Sequence, residues 1–284
     1  MTYFEYTYLL PEHLEWEVQE NMAANDFRDF FIESFVGEAS VLKVFLANAP
    51  MVATDVLPRL EALGLELLHS KEVVEMDWLK AWMDTLSPFE LAKGVWVNPF
   101  PDRVFEGPQG ALVLKVVPGT AFGTGLHSTT RLAAQILDEL DLKGKSVVDV
   151  GSGTGILALL ARFRGAQELL CLDDDPVAAE KAHITFADNH LGVIDSRVSD
   201  LLDAVDEGKT FDIVVANIIA EVLEMLLDHP RLRSVCTSST LLVFSGVSDQ
   251  KRPLMEAAFA RHSVNVLNHR KEGDWNGYLL KLIP

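Results

Sequence analysis

The stretch Val147-Val148-Asp149-Val150-Gly151-Ser152-Gly153-Thr154-Gly155 decides the fold of this chain. A short run rich in β-branched residues leads directly into three alternating glycines, and the helix-favouring segment 156–160 follows. Glycine lets the backbone turn sharply and lets a ligand approach the main chain without a Cβ in the way. The stretch therefore predicts a strand, a ligand-binding loop and a helix, although any tight β-α turn can share this pattern.

The spacing of the glycines distinguishes between two kinds of ligand. A dinucleotide-binding fingerprint places its third glycine one residue later, at the position that Ile156 occupies here. That fingerprint brings a pyrophosphate to the N-terminus of the helix, whereas S-adenosylmethionine carries no phosphate. The spacing therefore disfavours a dinucleotide and favours S-adenosylmethionine, bound by the loop that contains Gly151 and Gly153.

The second predicted strand, 168–172, ends in an acidic residue, Asp173, which lies 22 residues beyond Gly151. A carboxylate at the C-terminal end of the neighbouring strand can accept hydrogen bonds from both ribose hydroxyls, and its charge strengthens those bonds. We therefore predict that Asp173 binds the cofactor. Asp175, which precedes Pro176, is interpreted instead as the N-terminal cap of the next helix.

Two further aspartates are candidate cofactor ligands. Asp149, inside the first strand, could orient the glycine loop or interact with the ammonium group of the cofactor. Asp200 lies between the predicted strands 168–172 and 211–216, where adenine would lie, but it could equally be an ordinary loop residue. The two cysteines, Cys171 and Cys236, lie far apart in the sequence and support neither a disulfide nor a zinc site, so no metal is expected.

The segment Pro118–Thr130 is unusually rich for a connection between a predicted strand and a helix, since it contains three glycines, an aromatic residue, a histidine and several hydroxyls. Such a flexible loop could fold over a bound cofactor and exclude water. The loop residues assigned to cofactor contact are Phe122, Gly123 and Thr124, and Phe122 and His127 are also candidates for the catalytic step. Alternatively, Ser128, Thr129 or Thr130 could serve only to cap the following helix.

Asn217 follows the predicted strand 211–216, at the edge of the sheet where open α/β folds bind ligands. Its side-chain oxygen and nearby carbonyls could accept hydrogen bonds from a substrate amine and aim the nitrogen lone pair at the methyl group. Alternatively, Asn217 could cap the helix beginning at Ile218. No obvious general base is present; His127 is a candidate, but it could equally shape the loop or face solvent.

Beyond residue 105, segments with strand character alternate with helical ones. The predicted strands are 146–150, 168–172, 211–216 and 240–245, and the predicted helices are 129–140, 156–163, 176–190 and 218–227. This alternation predicts an α/β fold with a mostly parallel sheet covered by helices on both faces. The tail, 262–270 and 277–283, has no helical pattern and predicts a C-terminal antiparallel hairpin.

Residues 1–75 differ from the rest in pattern. Predicted strands at 2–9, 30–35, 40–46 and 65–73 and predicted helices after Pro11 and at 54–63 give the order β-α-β-β-α-β. That order is typical of a small α+β, ferredoxin-like unit. A tryptophan-bearing connector, 76–105, would join this domain to a larger domain over 106–284.

The charge is unevenly distributed along the chain, whose net charge is −18. Residues 1–88 contain 5 basic and 16 acidic residues and so carry −11, which leaves −7 for 89–284. A negative field repels nucleic acid backbones and attracts cationic proteins, although a merely solvated surface has the same composition.

No apolar run approaches the ~18 residues of a membrane span, and the N-terminus lacks the pattern of a signal peptide. We therefore expect a cytoplasmic protein.

The sequence resembles the bacterial ribosomal protein L-eleven methyltransferase family. The segment Pro118–Thr130 is similar, almost letter for letter, to the family pattern P-G-x-A-F-G-T-G-x-H-x-T-T. The runs 147–155, 172–176 and 216–220 agree in order and spacing, as do the connector residues Trp78, Trp82 and Trp96. The resemblance thus covers nearly the whole chain. Asp174 departs from the family, which usually has an apolar residue there, and Pro99-Phe100-Pro101 replaces Pro-Ser-Trp.

The resemblance implies a class I S-adenosylmethionine-dependent methyltransferase domain, with a mostly parallel seven-stranded sheet, in which Thr130, Gly151, Asp173 and Asn217 match cofactor-binding positions. It implies that the N-terminal domain holds a basic ribosomal protein, whose lysine side chains and N-terminal amine are methylated repeatedly. The negative charge of residues 1–88 is what such a recognition domain would be expected to show. We expect a monomer that contacts neither nucleic acid nor membrane and that works by direct in-line displacement.

Three other functions stay open at this point. A class I methyltransferase could act on another protein lysine or on a small amine. A protein could retain the pocket for binding alone, but the loop 122–130 and Asn217 disfavour this, because a binder requires neither a lid nor an amine acceptor. A dehydrogenase is disfavoured by Ile156 at the position of the missing glycine.

Overall fold

The computed structural model describes residues 2–24, 30–33, 40–47, 50–74, 85–118 and 123–283. The chain divides into two units, Met1–Thr85 and Leu86–Pro284. Phe122, Trp78 and Trp82, on which sequence predictions rest, lie outside the described residues.

In the described residues of the first unit, a four-stranded antiparallel sheet is accompanied by two α-helices and a short 3-10 helix, Glu12–Leu14. Its elements are β1 (Thr2–Leu10), α1 (Glu15–Ala24), β2 (Phe30–Glu33), β3 (Ser40–Ala47), α2 (Pro50–Ala62) and β4 (Glu66–Val74). This is the predicted β-α-β-β-α-β order, and the strands lie in the order β2-β3-β1-β4. Val18 and Met22 of α1 and Leu60 of α2 pack with Tyr8 and Leu42 of the sheet, so both helices cover one face.

The described strands of the second unit form two sheets. Its strands are β5 (Phe89–Ala92), β6 (Val95–Asn98), β7 (Leu112–Lys115), β8 (Ser146–Val150), β9 (Glu168–Asp173), β10 (Asp195–Val198), β11 (Phe211–Asn217), β12 (Cys236–Ser248), β13 (Val264–Glu272) and β14 (Trp275–Leu282). Its helices are α3 (Ser128–Asp138), α4 (Ile156–Phe163), α5 (Pro176–Asp188), α6 (Ala220–Asp228), α7 (Leu232–Val235) and α8 (Arg252–Arg261).

The large sheet has seven strands in the order β10-β9-β8-β11-β12-β14-β13. The five strands from β10 to β12 are parallel, and β14 runs antiparallel to both of its neighbours, which confirms the predicted C-terminal hairpin. From β8 the chain continues to β9 and β10 on one side, and from β11 it continues to β12 on the other side. In such a sheet, ligands bind outside the carboxyl ends of the strands where the order reverses, here at β8 and β11.

The strands of this sheet are buried on both faces. In β8, Val147 packs into a core cluster that includes Leu157 and Leu160 of α4. Its neighbour Val148 packs into a second cluster that includes Leu223 of α6. Successive side chains of a strand point to opposite faces, and parallel sheets covered on both faces therefore have nearly continuous apolar strands. This explains why the run before Gly151 is apolar apart from Asp149.

A smaller sheet is built from β5, β6 and β7, with β6 antiparallel to β5 and parallel to β7. The sequence interpretation did not foresee β5 and β6, which fall within the segment 76–105 that was predicted as a connector. Residues 86–105 belong to the second unit. Leu91 and Val97 are buried in the core cluster that contains α4, which explains why these short strands are ordered there.

Among the described residues, no helix is long and apolar enough to cross a membrane.

Candidate active site

The glycine loop turns sharply at the carboxyl end of β8. Gly151, Gly153 and Gly155 have φ values of 69°, 53° and 75°, in the left-handed region that side chains disfavour. A Cβ at Gly151 would lie 2.3 Å from Cγ2 of Ile218, so a larger residue would also collide with the loop after β11. The amides of Gly151 and Ser152 donate to the carbonyl of Leu172 at 2.8 and 3.0 Å. The loop is therefore fixed to β9.

Asp173, at the end of β9, holds the next part of this loop. One carboxylate oxygen accepts a hydrogen bond from the amide of Gly153 at 2.8 Å, and the other accepts one from the amide of Asp175 at 3.1 Å. Burial raises the pKa of Asp173 above its ordinary value, while both amides act in the opposite direction. A carboxylate has about four acceptor positions, so the two amides leave capacity for a further ligand.

The other aspartates near this turn have different surroundings. Asp175 is the N-cap of α5 and accepts a hydrogen bond from the amide of Val177 at 2.8 Å, which agrees with its interpretation as a cap. Asp200 is exposed. Its neighbour Ser199 is buried and donates its amide to the carbonyl of Asp173 at 2.8 Å. The structure thus places the loop that carries Asp200 beside the end of β9.

Asp149 is buried in β8 with 1% of its surface exposed. One oxygen accepts a hydrogen bond from the amide of Ala158 at 3.2 Å, in the first turn of α4. The other oxygen has no hydrogen-bond partner among the described residues. Burial raises the pKa of Asp149 to about 7, and the charge of Asp173 adds to that rise. Asp149 therefore ties the helix after the glycine loop to the strand before it.

Asn217 ends β11, on the opposite side of β8 from Asp173. Its amide nitrogen donates to the hydroxyl of Thr130 at 3.2 Å. Its side-chain oxygen is buried and has no hydrogen-bond partner in the described part of the chain. The N-cap of α6 is Ile219, so the alternative that Asn217 caps this helix is wrong. The arrangement leaves an acceptor beside the glycine loop that can bind an amine.

The connection before α3 contacts the glycine loop directly. The hydroxyl of Thr154, which is fully buried, donates to the carbonyl of Gly123 at 2.5 Å. The hydroxyl of Thr124 accepts a hydrogen bond from the amide of Leu126 at 3.4 Å. Gly123 has a φ of 97°. Sequence reasoning did not identify Thr154 as a link, although a hydroxyl between two glycines of the quoted stretch was a visible signal.

His127 is the N-cap of α3, a role that the sequence interpretation gave to Ser128, Thr129 or Thr130. Its Nδ1 accepts a hydrogen bond from the amide of Thr129 at 3.3 Å and lies 2.7 Å from the hydroxyl of that residue. Its ring also contacts Trp275 edge to face at a centroid distance of 4.9 Å. The expectation about the cap is therefore wrong, because an imidazole nitrogen on extended backbone supplies the acceptor one residue earlier.

Among the described residues, no group of three or more His, Cys, Asp or Glu is placed to bind a metal ion. Cys171 and Cys236 are free thiols. The site therefore consists of a glycine loop, two carboxylates and an amide, at the carboxyl ends of β9, β8 and β11. This strand order and this site define a class I methyltransferase.

Comparison with known proteins identifies the family. The family model described as "Ribosomal protein L11 methyltransferase (PrmA)" matches residues 13–282. A Thermotoga petrophila protein named ribosomal protein L11 methyltransferase is 35% identical over 269 residues, which cover 94% of each chain. A Thermosipho africanus protein of the same name is 34% identical over 280 residues, or 98% of each chain. The chain belongs to the ribosomal protein L11 methyltransferase family.

A solved structure supports the same assignment. The crystal structure of ribosomal protein L11 methylase from Lactobacillus delbrueckii subsp. bulgaricus superposes with a TM-score of 0.64 at 30% sequence identity. The match covers 69% of this chain and 99% of that one. The resemblance stated from the motifs is thus confirmed, and with it the class I methyltransferase fold.

Proposed function

We propose that this protein transfers methyl groups from S-adenosylmethionine to amines of ribosomal protein L11, at lysine side chains and at the N-terminus. The observation that carries the proposal is the buried, unpartnered side-chain oxygen of Asn217 beside the glycine loop. The names of the related proteins supply the substrate. Asn217, as an acceptor for N–H groups, is the reason to expect that the methylated group is an amine.

The residues present fit S-adenosylmethionine. Gly151 and Gly153 place no Cβ where a ligand would approach the main chain, and Asp173 keeps acceptor positions for the two ribose hydroxyls beside the one that binds the amide of Gly153. The unpartnered oxygen of Asp149 is available to a cationic group, and Thr130 lies next to Asn217. Asp200 is an exposed acceptor at the same edge of the sheet. When bound, S-adenosylmethionine supplies an electrophilic methyl group on a sulfonium.

Asn217 orients the nucleophile. Because its amide nitrogen donates to Thr130, its oxygen is left to accept an N–H of the substrate amine. That hydrogen bond directs the nitrogen lone pair away from Asn217, towards the reacting carbon. Holding two reactants in such geometry is a large source of rate enhancement. The N–C bond forms as the S–C bond breaks, and the proton released from the amine passes to solvent.

The substrate amine must be neutral before it attacks, and a lysine in water has a pKa of about 10.4. Transfer of the amine from water into an apolar site lowers its pKa and increases the neutral fraction. Asn217 is uncharged and favours the neutral amine more than a carboxylate would. His127 caps α3 through Nδ1, which commits that nitrogen to the helix. We therefore assign His127 to shaping the loop, ahead of a role as general base.

The N-terminal unit is assigned to substrate recognition. Its charge of −11 over residues 1–88 complements a basic protein. Exposed carboxylates supply part of this field, at Glu20, Glu61, Glu66 and Glu72. A protein with this role requires neither a nucleic acid surface nor a membrane anchor, and we propose that it works as a monomer in the cytoplasm.

The test is a methyl-transfer assay with the full-length protein. S-Adenosylmethionine labelled in its methyl group is incubated with recombinant, unmethylated ribosomal protein L11, and mass spectrometry locates the label. We expect label on lysine side chains and on the N-terminal amine. Other small basic ribosomal proteins serve as controls for charge alone. Label on those proteins but not on ribosomal protein L11 would refute the substrate, and binding of S-adenosylmethionine without any transfer would refute the activity.

A further inference from the structure

Arg131, in the first turn of α3, connects three segments of the second unit. One terminal nitrogen donates to the carbonyl of Leu126, in the loop before the helix. The other donates to the hydroxyl of Ser128 at 2.9 Å. Nε donates to the carboxylate of Glu272, at the end of β13, at 2.7 Å, and a terminal nitrogen pairs with the same carboxylate. The arginine thus joins the loop, the helix and the C-terminal hairpin.

The loop 123–127 is held at two carbonyls. Thr154 of the glycine loop donates to the carbonyl of Gly123, and Arg131 donates to the carbonyl of Leu126. Between these two points lies Gly125, with a φ of 90°. A Cβ on Gly125 would lie 3.0 Å from Cδ1 of Ile156, the first residue of α4. The loop therefore packs against the glycine loop and the start of its helix.

The pair of Arg131 and Glu272 is well enough buried to hold this geometry. Their side chains are 18% and 32% exposed. Nε and a terminal nitrogen of Arg131 reach the same oxygen of Glu272, Oε1, and charge-assisted hydrogen bonds of this kind are stronger than neutral ones. Glu272 also accepts a hydrogen bond from the hydroxyl of Ser128 at 3.3 Å. Without Arg131, the carbonyl of Leu126 loses this donor and Glu272 loses its cation.

A second ion pair joins the same two elements at the far end of the helix. Arg270 of β13 pairs with Glu139, the residue that follows α3, and this glutamate is 61% exposed. Exposed pairs of this kind contribute little to stability. Among the described residues, Arg270 bonds to Glu139 and not to the loop 123–127. It is therefore a matched control for Arg131, since both arginines link α3 to β13.

We infer that Arg131, oriented by Glu272, is a positioning residue that holds the loop 123–127 against the glycine loop in the form that binds S-adenosylmethionine. The inference rests on the proposed function, because the loop is assigned there to the cofactor. Arg131 acts through the loop. If the loop is released, only a fraction of molecules is ready to bind, and the apparent dissociation constant rises by the inverse of that fraction.

The test compares Arg131→Met, Arg131→Lys, Glu272→Gln and Arg270→Met in the full-length protein. Amide hydrogen exchange of peptides spanning 123–127 reports on the loop without any ligand. Calorimetry measures the dissociation constant of S-adenosylmethionine, and the methyl-transfer assay measures kcat at saturating cofactor. We expect Arg131→Met to raise both loop exchange and the dissociation constant about tenfold, with kcat within about twofold of the wild type.

The conservative variants sharpen this expectation. Arg131→Lys keeps the charge but cannot reach Glu272 and Leu126 together, so an intermediate effect is expected. Glu272→Gln keeps an acceptor and should also be intermediate, while Arg270→Met should match the wild type. Unchanged amide exchange of the loop in Arg131→Met would overturn this inference and leave the proposed function untouched. Faster exchange with an unchanged dissociation constant would also overturn it, and failure of the wild type to bind S-adenosylmethionine would refute the proposed function as well.

Discussion

The backbone of Ile218 lies against Gly246 so closely that a Cβ on that glycine would be 2.1 Å from the carbonyl oxygen of Ile218. Gly246 is in β12, and Ile218 follows directly after Asn217, the amine acceptor of the proposed mechanism. The side chain of Ile218 in turn occupies the space above Gly151. The position of Asn217 therefore depends on Gly246 in β12 and on Gly151 in the loop after β8.

Gly246→Ala should damage both folding and activity. The added carbon collides with backbone, and a φ of 95° disfavours alanine. We expect a loss of about 3 kcal/mol in the free energy of unfolding, the sum of overpacking and backbone strain. Chemical denaturation measures this loss. The control is Gly192→Ala, where φ is 76° but no atom lies within 4 Å, so only the strain of ~1 kcal/mol should appear. Equal losses in the two variants would show that the contact with Ile218 is unimportant.

Asn217→Ala removes the proposed amine acceptor. We expect kcat to fall by about 100-fold, since misplacing a reactant typically costs a factor of this order. The dissociation constant of S-adenosylmethionine, measured by calorimetry, should change much less. Thr130→Val keeps the oxygen of Asn217 but removes the hydroxyl that accepts from its nitrogen, and should cause a smaller fall. A normal kcat in Asn217→Ala would rule out the acceptor role.

Asp173→Ala should weaken cofactor binding by about 100-fold or more, because two hydrogen bonds to a charged acceptor are lost and the amide of Gly153 loses its partner. Isothermal calorimetry with S-adenosylmethionine measures the change. Asp200→Ala is the comparison, since Asp200 is an exposed loop residue whose assignment to adenine stays a prediction. A large effect at Asp200 with none at Asp173 would reverse the two assignments.

The buried carboxyl of Asp149 should make stability depend on pH. Burial raises its pKa from 3.8 to about 7 in the folded protein. The folded state then binds more protons than the unfolded state between about pH 4 and pH 7, so the free energy of unfolding falls as the pH rises through this window. The full difference corresponds to about 4 kcal/mol at 1.36 kcal/mol per pKa unit. The variant Asp149→Asn has no group at this position that titrates between about pH 4 and pH 7.

Denaturation of the wild type and of Asp149→Asn at pH 5, 6, 7 and 8 tests this expectation. The substitution keeps an oxygen that can accept the hydrogen bond from the amide of Ala158. Relative to the variant, the wild type should lose stability as the pH rises to about 7 and change little above it. A difference between the two proteins that is the same at every pH would show that Asp149 does not titrate in this range.

The exposed acids of the N-terminal unit should govern affinity for the protein substrate. The variant that replaces Glu20, Glu61, Glu66 and Glu72 by Gln should raise the KM for ribosomal protein L11 several-fold, because it removes attraction to a basic partner. The KM for S-adenosylmethionine should not change. A matched variant replaces four exposed acids of the second unit, Asp102, Asp141, Glu180 and Glu207. Equal effects of the two variants would show that total charge matters and not its location.

Several features of the fold and site could be predicted because their signals are local. The glycines follow β8 directly, the acid is the last residue of β9, and the cap at Asp175 lies within its own turn. The alternation of apolar strands and amphipathic helices predicted the parallel sheet, and the tail predicted the hairpin of β13 and β14. The short strands β5 and β6 were missed because four residues carry little periodicity.

The sequence by itself determined the class of the fold, the glycine loop at the end of β8 and the choice of Asp173 and Asn217 as candidate residues, since each is encoded by neighbours in the chain. The tertiary structure decided which contacts hold them. Thr154 and Gly123 are 31 residues apart, and Arg131 and Glu272 are 141 apart. No periodicity or spacing reports such pairs, because they form only when the sheet brings distant segments together. The glycine stretch at 147–155 thus predicts a binding loop. Its shape depends on the packing of Ile218 against Gly151 and on the hydrogen bond from Thr154 to Gly123.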